Sequence, residues 1–195
     1  MNLKSVSLAA LAALTLGLAG PARAGVVMST NVPVAICDLC TVSSTLTVNS
    51  HMTITDLNGL IGSLTHTWDG DLFIQLQSPV GTTVTLSNRH GGSGDNYIDT
   101  VFDDEAATAI SAAGAPFTGS FRPDQLLSAF DGQDAFGVWT LRVADQAGLD
   151  VGSINRWGID ITAAAQNQRI PEPGTLVLAG MALAGLAFTR RHVSK

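Results

Sequence analysis

The chain has 195 residues, of which 46% are hydrophobic and 13% charged, and its formal net charge at pH 7 is −6. This length allows one domain of ordinary size once terminal targeting segments are set aside. Residues 25–164 contain fifteen acidic residues, four arginines and no lysine, a formal charge of −11 that disfavours nucleic acid as a partner because phosphate binding needs a basic surface.

The N-terminus has the features of a signal peptide. Lys4 precedes an apolar run over residues 6–19, and a small-residue cleavage pattern, Ala-Arg-Ala, occupies residues 22–24. The apolar run is shorter than the roughly 20 residues that a membrane-spanning helix requires. We therefore predict a signal peptide over residues 1–24 and a mature chain that begins near Gly25.

The two cysteines, Cys37 and Cys40, lie in a predicted N-terminal extension over residues 25–44. After export they would be in a compartment where disulfides persist. A zinc site needs about four ligands and finds no second cysteine pair here, while a redox pair would open a helix that the extended flanking residues do not predict. We favour a disulfide across a tight turn, with free thiols as the alternative.

Short alternating runs separated by Gly, Asp, Asn and Pro fill the middle of the chain, a pattern typical of antiparallel sandwiches and barrels. Residues 41–49, 51–57 and 59–67 are rich in β-branched side chains and are predicted to be extended. Residues 71–77 and 82–88 alternate more clearly and are separated by a turn sequence, so they are predicted to form a hairpin.

A glycine-rich loop over residues 90–97 comes next. It is followed by a long connection over residues 101–133, in which we expect one helical turn near residues 125–130. A connection of this length is unusual in a compact domain, and it indicates a functional loop or one anchored by its side chains.

Two later strands, over residues 138–145 and 156–161, each place a tryptophan on the face that points inward, Trp139 in the first and Trp157 in the second. Large aromatic side chains on both strands predict a core closed by indole rings. We expect about seven to nine strands in all. A linker over residues 163–170 follows.

The last segment, residues 171–195, begins with Pro171, Glu172 and Pro173 and continues without a charge as far as Arg190. Its apolar body is near the lower limit for crossing a membrane, and Arg190 with Arg191 should stay cytoplasmic under the positive-inside rule. We predict a C-terminal transmembrane helix, with the body of the protein on the outer side.

A Pro-Glu-Pro motif, a short apolar helix and a basic end, in this order, resemble the PEP-CTERM sorting tail of exported bacterial proteins. The resemblance implies recognition by an exosortase-type membrane transpeptidase, which would cut near the motif and pass the protein to the cell surface. The protein is then expected to be membrane-anchored at first and to end at the cell surface or outside the cell.

Several separated motifs in the middle of the chain occur in the order of a known domain family: His66 ahead of Gly70-Asp71-Leu72, Ser78-Pro79 with Gly81-Thr82, Phe117-x-Gly119, Gly137-x-Trp139-x-Leu141, and Gly152 with Trp157. Residues 45–162 thereby resemble the P domain, or P/Homo B domain, of kexin-like and furin-like proprotein convertases. The resemblance implies an all-β, jelly-roll-like antiparallel β-sandwich. In those peptidases it packs beside a subtilisin-like catalytic domain and supports its folding.

Catalysis by this chain is not expected. His66 and Ser93 could be considered as a base and a nucleophile, but Ser93 lies in a glycine-rich loop without the strand-turn-helix context of a nucleophile elbow. We expect a non-enzyme whose peptidase label would come from its family.

Asp69 and Asp71 flank Gly70 at the start of a predicted strand. One interpretation is structural: the carboxylates accept backbone N–H groups and Gly70 adopts an unusual dihedral angle. The other is a calcium site, because Asp69, Asp71, Asp103 and Asp104 together could supply part of the six to eight oxygen ligands that the ion takes. Under this second interpretation calcium is a candidate cofactor.

Three functions stay open from the sequence. The first is a non-catalytic extracellular module that acts by association with an unidentified protein or polysaccharide, and the second is a partner or stabiliser of a subtilisin-like serine endopeptidase. The third is carbohydrate binding, for which Trp68 and Tyr97 are the candidate exposed aromatics.

Overall fold

The structure, a computed structural model, describes residues 22–164. Within this range the chain forms ten β-strands and three 3₁₀ turns and no α-helix. The strands are β1 (Ala22–Met28), β2 (Val34–Ile36), β3 (Thr41–Val48), β4 (Ile54–His66), β5 (Leu72–Gln77), β6 (Thr83–Asn88), β7 (Tyr97–Phe102), β8 (Phe117–Phe121), β9 (Gly137–Asp145) and β10 (Gly152–Ala163). The turns are η1 (Asp69–Asp71), η2 (Ile110–Ala112) and η3 (Leu127–Phe130).

The strands form two sheets that enclose one hydrophobic core. Neighbouring strands follow the order β1-β10-β4-β7-β8 in the first sheet, where β2 also pairs with β10, and the order β3-β9-β5-β6 in the second. Along the chain, successive strands pass repeatedly from one sheet to the other, a connectivity found in jelly rolls. The prediction of an all-β sandwich is confirmed.

Two tryptophans, both predicted to face inward, fill part of the core. Trp139 and Trp157 are both buried, and each indole N–H has an acceptor. The Nε1–H of Trp139 donates to the carbonyl oxygen of Ala135 at 2.9 Å, and that of Trp157 donates to the Oγ of Ser44 at 2.6 Å. Because a buried N–H without a partner is costly, these bonds allow both rings to fill the interior.

The long connection predicted over residues 101–133 contains more regular structure than expected. It includes β8, which runs parallel to β7 at the edge of the first sheet. Its η3 turn, Leu127–Phe130, confirms the predicted helical turn. Strand β7 was missed because its pattern does not alternate: Asp99 has a φ of 49°, in the left-handed region.

Residues 25–44, predicted as an extension, are part of the sandwich. They contain most of β1 and all of β2, both paired with β10, and the start of β3, which pairs with β9. Strand β1 begins at Ala22, inside the predicted signal peptide.

The rest of that peptide and the predicted C-terminal transmembrane helix lie outside the described residues. Within residues 22–164, the structure has no helix of the length and apolar character needed to cross a membrane.

Candidate functional site

Four loops meet at one end of the sandwich, where β4 and β9 end and β5 and β10 begin. His66 of β4 pairs with Gly152 of β10, and Leu72 of β5 pairs with Asp145 of β9. The loops cover residues 37–40, 67–71, 90–95 and 146–151. Most of the residues that the sequence singled out in the described chain lie in these loops or beside them.

The turn η1 is held against the glycine-rich loop by its backbone. The N–H of Asp69 donates to the carbonyl of Gly94 at 2.8 Å, and the N–H of Gly70 donates to that of Gly92 at 2.9 Å. A Cβ at Gly70 would lie 3.0 Å from the Gly92 backbone, so the two segments approach this closely only because Gly70 lacks a side chain. Gly70 is not in the left-handed region, and its role is close approach rather than an unusual dihedral.

Asp69 is a fully buried carboxyl group. Neither side-chain oxygen has a hydrogen-bond partner among the described residues. Burial raises the pKa of Asp69 to about 7, and the negative charge of Asp95 adds to the rise. The backbone N–H of Asn96 points toward the carboxyl and offsets part of the rise without forming a well-shaped hydrogen bond. The group therefore carries a proton at mildly acidic pH.

Asp71 is also buried, but it has a cationic neighbour. The guanidinium Nη2 of Arg89 lies 3.9 Å from its Oδ1. Burial raises the pKa of Asp71, nearby Asp145 and Asp150 raise it further, and Arg89 and His66 oppose the rise. Asp69 and Asp71, separated by one glycine, thus share one turn. In the described part of the chain Asp71 has an ion-pair partner and Asp69 has none.

His66 is buried with oxygen atoms facing both ring nitrogens. Its Nδ1 lies 2.9 Å from the carbonyl oxygen of Trp68, and its Nε2 lies 3.3 Å from the Oδ2 of Asp145. A protonated Nδ1 donates to that carbonyl, whereas an unprotonated Nδ1 accepts the backbone N–H of Trp68, at 3.3 Å. The imidazole is therefore a structural link between the ends of β4 and β9. Ser93 is exposed and is not among its hydrogen-bond partners.

Asp103 and Asp104 have structural partners outside η1. The Oδ1 of Asp103 accepts the backbone N–H of Glu105 at 2.8 Å. The two carboxylate oxygens of Asp104 accept the N–H groups of Leu127 and Ser128, both at 2.8 Å, and so cap η3. Burial raises the pKa of Asp56 and of Asp131; the charges of Asp103 and Asp104 raise that of Asp56 further, and Asp104 that of Asp131.

The structure does not bring the four predicted calcium ligands into one group. In the part of the chain from residue 22 to residue 164, no three or more His, Cys, Asp or Glu side chains are placed to hold a metal ion. The charged neighbours of Asp69 and Asp71 belong to the loop end, among them Asp95 and Asp145. Asp103 and Asp104 instead accept backbone N–H groups of Glu105 and of η3. Calcium binding stays a prediction.

Cys37 and Cys40 form a disulfide across the turn between β2 and β3, with their Cα atoms 5.6 Å apart. Between them, Leu39 has a φ of 51° and is 66% exposed. The carboxylate of Asp38 accepts the backbone N–H of Leu149 at 3.2 Å. The cystine turn is thereby attached to the loop between β9 and β10.

Exposed apolar side chains project from this end of the molecule, and we call Leu39, Trp68, Leu149 and Val151 the apolar tip. Leu149 is 96% exposed and has a φ of 92°. A left-handed backbone at a residue other than glycine costs about 1–3 kcal/mol. Leu39 and Leu149 both have this conformation, so their exposure is maintained against a local preference for glycine or asparagine.

The aromatic candidates for carbohydrate binding differ in their exposure. Trp68 is exposed, but Tyr97 is buried, with its hydroxyl 2.9 Å from the Oγ of Ser87 and its ring stacked on Phe117. The expectation of an exposed Tyr97 is wrong, because β7 places this ring in the core. Phe136, an exposed ring that stacks on His51, was not identified from the sequence, since no alternating pattern marks it.

The predicted sorting residues lie outside the described part of the chain. They are Pro171, Glu172 and Pro173 of the motif, and Arg190 and Arg191 of the basic end.

Two family models match the sequence. A model of the proprotein convertase P-domain matches residues 60–161, just over half of the chain. A model of the PEP-CTERM protein-sorting motif matches residues 169–191. Both resemblances drawn from the sequence are confirmed.

Individual relatives are larger proteins. Leupeptin-inactivating enzyme 1 of Streptomyces exfoliatus is 32% identical over 152 residues, which cover 74% of this chain and 28% of that protein. A chain in the crystal structure of the Aeromonas sobria serine protease in complex with the chaperone ORF2 shares the fold, with a TM-score of 0.52 and 20% identity over 77% of this chain. This chain spans 28% of the length of each of these relatives.

Proposed function

Because the chain belongs to the proprotein convertase P-domain family, we propose that it is a non-catalytic β-sandwich module, exported and displayed at the cell surface, that acts by binding another protein. The observation that carries the proposal is the succession of two matches in one chain. The P-domain match ends at residue 161, and the PEP-CTERM match begins at residue 169. A folded module is thus followed at once by a sorting signal.

The targeting segments give the proposed route. A signal peptide over residues 1–24 would direct export, and a C-terminal helix ending at Arg190 and Arg191 would hold the protein in the membrane. An exosortase-type enzyme would then recognise Pro171 to Pro173 and release the module to the cell surface. The acidic character of residues 25–164 suits a soluble domain outside the cell.

The described residues support binding rather than hydrolysis. A general base needs a ring nitrogen within reach of a nucleophile, but both ring nitrogens of His66 face other oxygen atoms. These atoms are the carbonyl oxygen of Trp68 and a carboxylate oxygen of Asp145, and the two contacts fix the ring inside the protein. A histidine held in this way connects strands and has no access to a substrate.

Surface labelling tests the proposal. The full chain would be expressed in an exosortase-carrying bacterium and in a matched strain without the enzyme, and intact cells would be labelled with an antibody to the β-sandwich. We expect labelling of intact cells in the first strain and an uncleaved, membrane-bound form in the second. A variant with Pro171, Glu172 and Pro173 replaced by alanine should behave like the second strain. Labelling that requires cell lysis in every case would contradict the proposal.

The absence of hydrolysis is tested separately. The purified full chain would be treated with a fluorophosphonate probe for reactive serines, with subtilisin as the positive control. We expect no labelling. A signal that disappears in Ser93→Ala would overturn the non-catalytic assignment.

A second candidate function is association with a peptidase. It is favoured by the similarity to Leupeptin-inactivating enzyme 1 and, at the level of fold, to a chain of a serine protease complex. The two proposals would be separated by cross-linking the displayed protein on intact cells and identifying its partner. A subtilisin-like protease would favour the second function, and a partner without peptidase homology would favour the first. Carbohydrate binding has less support, since Tyr97 is in the core.

A further inference from the structure

We infer that the apolar tip is the surface through which the module binds its protein partner, and that this partner presents an apolar cleft rimmed by lysine or arginine. The inference rests on the proposed function and adds to it the contact surface and the chemistry of the partner. The tip consists of Leu39, Trp68, Leu149 and Val151, all exposed at the loop end of the sandwich.

Two leucines of the tip have an unusual backbone conformation. Leu39 and Leu149 are among the most exposed apolar residues of the described chain, and both have a left-handed backbone. Glycine would occupy either position without strain and without exposing an apolar side chain to water. Neither folding nor solubility explains a leucine there, whereas a contact made outside the domain does.

The tip is held in place before any partner arrives. The disulfide between Cys37 and Cys40 closes the turn that carries Leu39. The carboxylate of Asp38 accepts the N–H of Leu149, and the N–H of Asp145 donates to the carbonyl of Cys40 at 2.8 Å. Loops fixed in this way lose little conformational entropy on binding, which favours affinity.

The same network extends to the exposed tryptophan. The hydroxyl of Thr67 donates to the carboxylate of Asp150 at 2.6 Å, so the residue before Trp68 is bonded to the residue after Leu149. A backbone hydrogen bond joins the same two loops, since the N–H of Gln146 donates to the carbonyl of Asp71 at 3.0 Å. The loops that carry the four apolar side chains are therefore joined to one another at one end of the sandwich.

Negative charge surrounds the tip. The carboxylates of Asp38 and Asp150 flank the leucines at the surface, and the charges of Asp71 and Asp145 lie behind them. Two basic side chains contact this acidic group in the described chain: Arg89 lies 3.9 Å from Asp71, and the buried imidazole of His66 lies 3.3 Å from Asp145. A partner with an acidic rim would be repelled, whereas a basic rim complements the tip and speeds association. The same charges disfavour an anionic lipid surface as the partner.

The tip lies at the opposite end of β10 from the last strand residue. Strand β10 begins at Gly152 beside the tip and ends at Ala163, twelve residues later. At the usual rise per residue its two ends are about 35 Å apart. Ala163 therefore lies far from the tip, whose apolar side chains are exposed in the described structure.

Fluorescence anisotropy on the purified full chain in detergent tests the inference. The probe is a labelled amphipathic helical peptide with leucines on one face and lysines beside them. A second peptide has glutamate at every lysine position. We expect the lysine peptide to bind about tenfold or more tightly than the glutamate peptide, with an affinity that falls as salt rises.

The decisive variant is the double substitution Leu39→Gly and Leu149→Gly. Because glycine accepts the left-handed backbone, this variant should keep or raise its melting temperature while it loses about tenfold or more of its affinity for the lysine peptide. Val80→Asn is the matched control: it removes an exposed apolar residue from the turn between β5 and β6, away from the tip, and should bind as the wild type does.

Three outcomes would overturn the inference: equal binding of the two peptides, unchanged binding by the double glycine variant, and preferential binding to phosphatidylcholine vesicles, which would assign the tip to a membrane. Its failure is distinguishable from failure of the proposed function. If cells display the protein but the peptide does not bind, only the binding role of the tip is rejected. If the peptide binds but the protein never reaches the cell surface, only the proposed surface display is rejected.

Discussion

The imidazole Nε2 of His66 lies 3.3 Å from the carboxylate Oδ2 of Asp145, and both side chains are inaccessible to solvent. A second histidine–aspartate pair, His51 and Asp134, has a separation of 2.6 Å at the surface. The two pairs have the same chemistry in opposite environments. They provide an internal comparison for what burial does to a polar contact.

Asp145→Ala should destabilise the protein by about 3 kcal/mol or more, because it leaves a buried imidazole without its partner. Asp134→Ala should change the free energy of unfolding little, since water replaces a partner at the surface. Denaturant unfolding of both variants measures the difference. Equal destabilisation by the two substitutions would contradict a structural role for the buried pair.

The stability of the protein should depend on pH through Asp69. Its folded pKa, about 7, is above its ordinary value, so the folded state binds the proton more tightly than the unfolded state. The contribution of Asp69 to stability is therefore present at low pH and is lost as pH rises from about 4 to about 7, at no more than about 1.4 kcal/mol per unit. Above about pH 7, Asp69 no longer contributes to the change of the unfolding free energy with pH.

Asp69→Asn, which cannot ionise, should remove this part of the pH dependence. The variant should be more stable than the wild type at about pH 8 and similar to it at about pH 4. Melting temperatures across this range would show the effect. If the melting temperatures of the wild type and the variant change with pH in parallel, the carboxyl of Asp69 is solvated and the expectation is wrong.

Gly70→Ala should destabilise the loop end by about 1–3 kcal/mol, because the added Cβ would press on the Gly92 backbone at 3.0 Å. Gly114→Ala is the matched control: its added Cβ would have no neighbour within 4 Å, and its φ is not left-handed. Thermal unfolding of the two variants tests the close approach. If Gly70→Ala is as stable as Gly114→Ala, the glycine-rich loop does not pack on η1.

Calcium binding can be resolved by separating the two acidic pairs. We expect any rise in melting temperature caused by calcium to be lost in Asp69→Asn and Asp71→Asn and kept in Asp103→Asn. The first two residues share a buried turn, whereas Asp103 bonds to the backbone of Glu105. Titration calorimetry with the full chain provides the direct measurement. No heat and no rise in melting temperature for the wild type would remove the calcium site.

Sequence patterns predicted the strands whose two faces differ. In β9 and β10 apolar and polar residues alternate near Trp139 and Trp157, and both rings lie in the core as predicted. The pair β7 and β8 could not be identified in this way. The left-handed φ values of Asp99 and Gly119 interrupt the period of two on which strand recognition depends.

The candidate sites were predictable in composition but not in arrangement. The spacing of Asp69 and Asp71 marked a special turn, yet their distance from Asp103 and Asp104 depends on how distant strands are ordered in the sheets. The tip depends on a disulfide, on backbone conformation and on contacts between residues such as Asp38 and Leu149, 111 positions apart in the chain. Local periodicity contains no information about such contacts.

The start of β1 at Ala22 has a consequence for maturation. In the described chain, Ala22 and Arg23 pair with Ala163 and Thr162 of β10. Cleavage after Ala24, where the sequence predicts it, would remove these two partners and leave the last backbone groups of β10 hydrogen-bonded on one side only. Amide hydrogens of β10 at this edge would then exchange with solvent faster in the processed protein than in its precursor, so exchange rates at one strand would report removal of the leader.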